Sequence, residues 1–544
     1  MPTAQATHKE MIDKLIVTNL NVLGRKYGKG IREVEEAIQG LIDADAKRGL
    51  HTILVPLDDA RALKPFNLAP VSQPLDPEQN KVCIDGLYTS LQPDYLLILG
   101  ASDVVPHQDL VNPLHDPRAG LNGDPDPIVY SDLPYACGSP YGKKVGAFKN
   151  PSRVVGRLPD VTGATDPGYL IEVLKFASSY QAKPAKAYLN YLGVSAEIWS
   201  TSTAESLEAA FNDSAGMKVV PPMAPAAVAT ALEAPAHFIN CHGAPASPQY
   251  YGQPASGAGV FPVAMDAAAL EGRVRKGTVV AAECCYGAEL YDPKAADKHL
   301  GIPNQYLLEG AYGFFGSTTV AYGPSNDNDW ADLLCQYFFK SLISGASLGR
   351  AALEARQNYI LHKGHLSAND LKTLAQFILL GDPAVTPVEA PAAAPQPHLL
   401  RAGASFMAAD PTQAKGVERK ARRKALLQNG LALANSVDIA ESRSKSKPQP
   451  AIQDLLRKEA AKLNLEKPNY LTFDVKPAAL RSGMQSLRSM ASKGIALQGT
   501  PRELKAIHFT IGQSRQRDEH CMGLAGVEVH EYSDSVTIHP FESR

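Results

Sequence analysis

Two stretches of like design decide the reading of this chain: AHFIN-CHG at residues 236–243 and TVVAAE-CC at residues 278–285. Each is a short apolar run of β type that ends on reactive side chains, His242 in the first and Cys284-Cys285 in the second. Outward from them the same grammar repeats. Apolar runs at 53–57, 95–99, 153–158, 187–192 and 312–317 predict further short buried strands. Helical spacing of apolar residues predicts helices over 10–48, 169–180, 225–232, 331–342 and 348–359. Proline-rich or Pro/Asp/Gly-rich stretches at 64–79 and 107–128 predict loops. Strands that alternate with helices predict an α/β fold, a mainly parallel sheet with helices on both faces. In such sheets reactive groups gather at the carboxyl ends of strands, which is where His242 and Cys285 fall.

Composition narrows the class. The chain has 544 residues, 44% apolar and 20% charged, enough to bury a sizeable core and to exclude wholesale disorder. No apolar run approaches the roughly 18 residues of a membrane span. The opening MPTAQATHKEMIDKL lacks the apolar run of a secretory signal, and seven cysteines, an odd number, predict reduced thiols and a cytoplasmic location. Net charge is −2, but residues 391–544 carry 23 basic and 15 acidic side chains, +8, against −10 for the first 390. An acidic body with a basic tail fits two solvated surfaces, or an anionic or nucleic-acid partner for the tail.

The tail has its own punctuation. PVEAPAAAPQPH at 387–398 is a Pro/Ala linker, KGVERKARRKALL at 415–427 a basic helical stretch, and ESRSKSKPQP at 441–450 a polar break. A helix at 452–463 opens a small α+β C-terminal domain, and alternating residues around Ser533-Asp534 predict a β-hairpin.

Nucleophilic cysteine chemistry needs a thiolate and a base, and separate strands can bring the two to one cleft. His242 and Cys285 meet that need. Gly243 lets its backbone N–H approach a developing oxyanion, and the amide of Cys285 supplies a second donor. Each residue taken singly fits a structural role equally well, since a buried strand-end thiol is usually inert. It is the pairing of strand ends that points to chemistry.

With those landmarks in place the sequence resembles the caspase-like (clan CD) cysteine peptidases, in their gingipain-like branch. PDYLLILGASDVVP (93–106), SDLPYAC (131–137), VVGRLP (154–159), INCHGAP (239–245), AAECCYGAE (281–289), YGFFGSTTVAYGP (312–324) and FILLGDPAVTP (377–387) resemble that family's motifs in order. The resemblance implies a caspase-like three-layer α/β/α fold in two sub-domains. The first, non-catalytic, would span 1–181 and the second, catalytic, 182–390, followed by a linker at 391–450 and the small domain at 451–544. It also implies peptide-bond hydrolysis without metal or cofactor, with Cys285 as nucleophile, His242 as general acid/base, a protein or peptide as substrate, and a regulatory partner for the C-terminal domain. Counting from Gly287 instead selects Cys284 as nucleophile. Strand alternation sends neighbours to opposite faces, so only one of the two faces His242.

In gingipain-like enzymes an acidic pocket reads a basic residue before the scissile bond. GVSAEIWSTSTAE (193–205) offers Glu197 as that acid and Trp199 as an aromatic wall, and Tyr322 lies where a following loop lines the cleft, with Asp327 and Asp329 nearby. A basic preference would make Arg419, Lys420, Arg422, Arg423 and Lys424 a self-cleavage site. Two other classes compete. One is a caspase-like body that only binds partners, an adaptor. The other is a serine hydrolase through Gly345-Ala346-Ser347-Leu348-Gly349, although the preceding CQYFFKSLISG reads as a helix where a nucleophile elbow needs a strand. No phosphate loop, dinucleotide fingerprint, zinc spacing or calcium loop is present in the sequence.

Overall fold

The computed structural model describes residues 11–256, 259–389, 437–478, 503–514 and 523–544, with a few positions between 428 and 435. Ten strands make one sheet. Across it they run Thr52–Pro56, Lys14–Thr18, Tyr95–Leu99, Val154–Leu158, Phe377–Gly381, Gly313–Ser317, Val279–Ala282, Ala236–Asn240, Tyr191–Ala196 and Lys218–Val220. Every neighbouring pair is parallel except Phe377–Gly381 with Gly313–Ser317, which is antiparallel. The sheet is therefore two parallel half-sheets that point opposite ways. The late strand Phe377–Gly381 returns to complete the earlier half.

Alternation along the strands feeds two cores. Val280 and Ala282 join one with Val34, Ile84, Leu170 and Tyr306. Val279 and Ala281 join the other with Leu207, Leu334, Phe338 and Ala352. The first core lies under the helices Ile31–Lys47, Pro77–Leu91, Gly168–Ser178 and Ile302–Leu308, the second under Ser200–Phe211, Trp330–Ile343 and Leu348–Lys363. This is the three-layer α/β/α arrangement, with a mainly parallel sheet, expected from the sequence. Capping fixes several helix starts. The Asp76 carboxylate accepts from the Glu78 and Gln79 N–H groups, and Ser367 with Asp370 forms a reciprocal box at the start of Ala368–Gln376.

Three local expectations differ from the structure. Residues 14–18, expected inside a helix, form the second strand of the sheet. Leu15, Ile16 and Val17 are consecutive and buried, a run that suits a strand covered on both faces, and periodicity alone does not separate that from a helix. Lys14 starts this strand with its ammonium buried, balanced by Asp45 and Asp382 at 2.5 Å each. The strand expected at 187–192 is shifted: Ala185–Tyr188 is a helical turn and the strand is Tyr191–Ala196. Inside the expected loop 107–128, Gln108–Val111 pairs antiparallel with Ile128–Ser131.

The C-terminal region builds a seven-stranded sheet in the order Tyr322–Gly323, Val536–Ser543, Leu524–Tyr532, Leu504–Ser514, Leu465–Lys476, Asp438–Arg443, His365–Leu366. The expected hairpin is Leu524–Tyr532 with Val536–Ser543. The helix Pro450–Lys462 lays Ile452 and Leu456 on Val527 and Val529. Asp438–Arg443 is a strand within the stretch read from sequence as linker. Both outer strands of this sheet, Tyr322–Gly323 and His365–Leu366, come from the larger body, so the two parts are sewn together at both edges. The basic stretch 415–427 lies outside the described residues. Among the described residues no helix is long and apolar enough to cross a membrane.

Candidate active site

The site begins with register. Ala236–Asn240 and Val279–Ala282 are adjacent parallel strands, and Ile239 stands opposite Ala282. The chain runs three residues past Ile239 to His242 and three past Ala282 to Cys285, so the two side chains leave the sheet at the same level. Beyond the strand, His242–Gly243 pairs antiparallel with Gln249–Tyr251. Gly243 is required by closeness: a Cβ there would stand 1.8 Å from the carbonyl oxygen of Cys285.

The vicinal cysteines separate as alternation demands. Cys284 lies in the first core with Cys241, Tyr250 and Tyr306. Cys285 packs instead with Val320, Tyr322, Trp330 and Phe541. Its Sγ is 3.3 Å from the backbone N of Ala321. Burial pushes the Cys285 thiol up to about 12, and pushes that of Cys284 well above its usual value. The His242 ring rests 4.3 Å from the Trp199 ring and 4.8 Å edge-on from Phe261. Its Nε2 is 2.8 Å from Oε1 of the buried Gln253.

Between these groups sits the last residue of the sequence. The main-chain oxygen of Arg544 accepts from the N–H of Cys285 at 3.0 Å and of Gly243 at 3.4 Å. The Arg544 N–H donates to the carbonyl of Ala321 at 3.0 Å. The guanidinium enters a closed pocket. Nη2 donates to both carboxylate oxygens of Asp332 at 3.0 and 2.8 Å, and to the carbonyl of Pro324 at 2.7 Å. The group stacks 4.3 Å from the Trp199 ring centre. Glu283 is the second acid of the pocket, fully buried and hydrogen-bonded to Asp332. Burial raises its pKa well above the usual carboxyl value, Asp332 raises it further, and the charge of Arg544 opposes both. Gly323 floors the pocket: a Cβ there would come 2.3 Å from Nε and Nη2 of Arg544.

The structure thus brings together His242, Gly243, Cys285 and Trp199 of the residues singled out from sequence. Tyr322 contributes its backbone, opposite Ser543, while its hydroxyl donates to Asp124. Glu197 is elsewhere: its Oε2 accepts from the Ala255 N–H at 3.0 Å, and the acids facing the arginine are Asp332 and Glu283. Asp332 had a visible signal, a lone acid in the otherwise apolar start WADLL of its helix. Gln253 and Ala321 had none. Asp329 is engaged by Lys363 at 2.7 Å and caps Trp330–Ile343, and among the described residues no cluster suits a metal ion. Ser347 caps Leu348–Lys363 directly after another helix, so the Gly345–Gly349 string is a helix-to-helix turn and no strand-borne elbow.

A mainly parallel α/β/α sheet, with His242 and Cys285 just past the ends of neighbouring strands, is consistent with a caspase-like fold. The chain belongs to peptidase family C25, the gingipain family of clan CD, whose model matches residues 8–388. It is a cysteine-type endopeptidase by that membership. A solved structure described as "Structure of Protease" is similar over 98% of this chain and 97% of its own length, at 13% identity and a TM-score of 0.44. No curated protein matches the chain.

Proposed function

We propose that this peptidase cleaves after arginine, with Cys285 as nucleophile and His242 as general acid/base. The observation that carries the reading is the seat of Arg544: its main-chain oxygen on the amides of Gly243 and Cys285, its guanidinium on Asp332. A substrate arginine in the same seat places its carbonyl carbon beside Sγ. His242 takes the Cys285 thiol proton as Sγ adds to that carbon, and the carbonyl oxygen becomes an oxyanion between the two N–H groups. Preorganised donors of this kind are worth about 10²–10³-fold in rate each. His242 gives a proton to the leaving amine as the C–N bond breaks, leaving a thioester. It then takes a proton from water, which attacks the thioester and frees the acid and the thiol. Gln253 orients the His242 ring through Nε2.

The pocket chemistry supports arginine over lysine. A planar guanidinium stacks on Trp199 while reaching Asp332, whereas an ammonium is a point charge without a stacking face. Peptide amides that vary only the residue before the scissile bond test this on wild type, Cys285→Ala, Cys284→Ala and His242→Ala. Turnover confined to arginyl substrates, lost in Cys285→Ala and His242→Ala and kept in Cys284→Ala, is the expected outcome. Turnover of none by wild type and by a chain with its C-terminal strand released, or loss in Cys284→Ala alone, overturns the assignment. The arginines at 419, 422 and 423 are substrates of the same kind for self-processing. A lower intact mass for wild type than for Cys285→Ala after incubation is the expected sign, and equal masses exclude it.

A further inference from the structure

The groove that this chemistry needs is filled by the chain itself, position after position. Val536–Ser543 lies antiparallel to Tyr322–Gly323, Ser543 opposite Tyr322 and Glu542 opposite Gly323. Arg544 continues the line with its N–H on Ala321 and its guanidinium buried in the acidic pocket. The Glu542 carboxylate accepts from the Trp199 Nε1–H at 3.1 Å. Phe541 is buried with its ring 5.0 Å from that of Tyr322 and 5.9 Å from that of Trp330. Strand addition of this kind is how an extended peptide docks, main-chain bonds giving affinity and side-chain pockets giving choice. Here the strand is supplied in cis, held along its length by Leu524–Tyr532.

We propose that residues 541–544 are a built-in inhibitor: the C-terminal sheet threads its own strand through the substrate groove as a substrate mimic, and the order Phe-Glu-Ser-Arg reports what the four subsites accept. The inference rests on the arginine-cleaving reading and adds to it the resting state and the recognition of the residues before arginine. Three observations agree. The seated strand leaves Cys285 only 3% exposed. Both amides proposed for the oxyanion already have an acceptor. A tethered ligand meets its site at an effective concentration in the millimolar range, so modest affinity holds it there. Whatever lies beyond the Arg544 carbonyl, the strand stays, because the sheet retains it. The enzyme acts on other chains when this strand is withdrawn.

The test compares full-length wild type, Arg544→Ala and Glu542→Gln, with folding followed by thermal melts. The first readout needs no catalysis: the rate of Cys285 carbamidomethylation by iodoacetamide, located by peptide mass. At least a tenfold rise is expected in Arg544→Ala, with Cys284 unchanged, and a rise of a few fold in Glu542→Gln. The conservative Glu542→Gln change decides alone if Arg544→Ala does not fold. Equal Cys285 rates in wild type and in the folded variants overturn the proposal. The second readout is cleavage of a peptidyl-arginyl amide, expected to rise at least tenfold in kcat/KM. It should be inhibited competitively by added acetyl-Phe-Glu-Ser-Arg and far less by acetyl-Phe-Glu-Ser-Ala. Faster alkylation without any cleavage means that the strand covers the thiol but the arginine-cleaving reading fails. Cleavage that is equal in wild type and variants leaves that reading standing and removes the inhibitor.

Discussion

Glu283 and Asp332 set the behaviour of the arginine pocket. Both are buried, and burial raises the pKa of both, while the guanidinium of Arg544 pulls each down. Even with the guanidinium seated, the pKa of Glu283 stands well above its usual value, so the pair keeps a proton and meets the arginine with a single negative charge. Glu283→Gln mimics that protonated acid and is expected to leave KM for an arginyl substrate within a few fold of wild type; a loss as large as that of Asp332→Asn would show that Glu283 carries the charge. Asp332→Asn removes the charge that meets Nη2. A buried charge pair that loses one partner costs about 2–5 kcal/mol, and each 1.4 kcal/mol is tenfold, so kcat/KM should fall by about 30- to 4,000-fold. Gly323→Ala places a Cβ against the guanidinium and should abolish arginine cleavage while smaller residues still enter. Single-residue legibility was uneven. His242, Cys285, Gly243 and Trp199 were readable because strand ends and aromatic walls leave local signs. Asp332 lies 47 residues after Cys285 on a helix, and Gln253 on a loop, so only the folded chain brings them in.

At the scale of elements, the strand Ala236–Asn240 carries a second histidine that points away from the site. His237 is fully buried, its Nδ1 2.8 Å from the Tyr306 hydroxyl, and burial lowers its pKa to about 3. The unfolded chain binds that proton near pH 6.5. The neutral folded histidine therefore contributes stability that is present above pH 6.5 and is lost as the pH falls from there toward 3, about 1.4 kcal/mol per pH unit. His237→Gln keeps an acceptor for Tyr306 and does not titrate. The difference between wild type and variant in urea-unfolding free energy should shift against wild type on going from pH 7 to pH 5. A constant difference would show that His237 binds its proton in the fold as readily as in the unfolded chain. Strand and helix identity was legible where runs were long or bounded, as at Tyr95–Leu99, Ala236–Asn240 and Leu348–Lys363. It failed at Lys14–Thr18, where five residues were absorbed into a longer helical pattern, because period-2 and period-3.6 templates coincide over so short a run.

The whole molecule depends on both of its sheets. The C-terminal sheet covers Val320, Tyr322, Trp330 and Ala368 of the body and pairs with two short segments of it, Tyr322–Gly323 and His365–Leu366. A chain ending after residue 389 would bare this patch and leave Tyr322–Gly323 and His365–Leu366 unpaired. Exposing Tyr322 and Trp330, each buried now, costs about 1.5–3 kcal/mol apiece, and bare edges invite association. The truncated body is expected to melt lower, to bind a hydrophobic dye, and to sediment as oligomers. A monomer with the melting temperature of the full chain would contradict the view that the sheet is structural. The class of the main sheet was readable from sequence because strand–helix alternation is a repeated local pattern. The union of the two parts was not, since it rests on two-residue strands too short to carry any pattern.

The strand that fills the groove is also late in time. All the residues that shape the cleft precede Gly381, whereas Val536–Ser543 follows by some 150 positions. At about 5–20 residues per second, a ribosome needs on the order of 10–30 s to cover that distance. During that interval the nascent body emerges with its cleft unoccupied, beside every other chain under synthesis. The order of translation alone therefore gives each new molecule a brief unguarded period before this strand arrives.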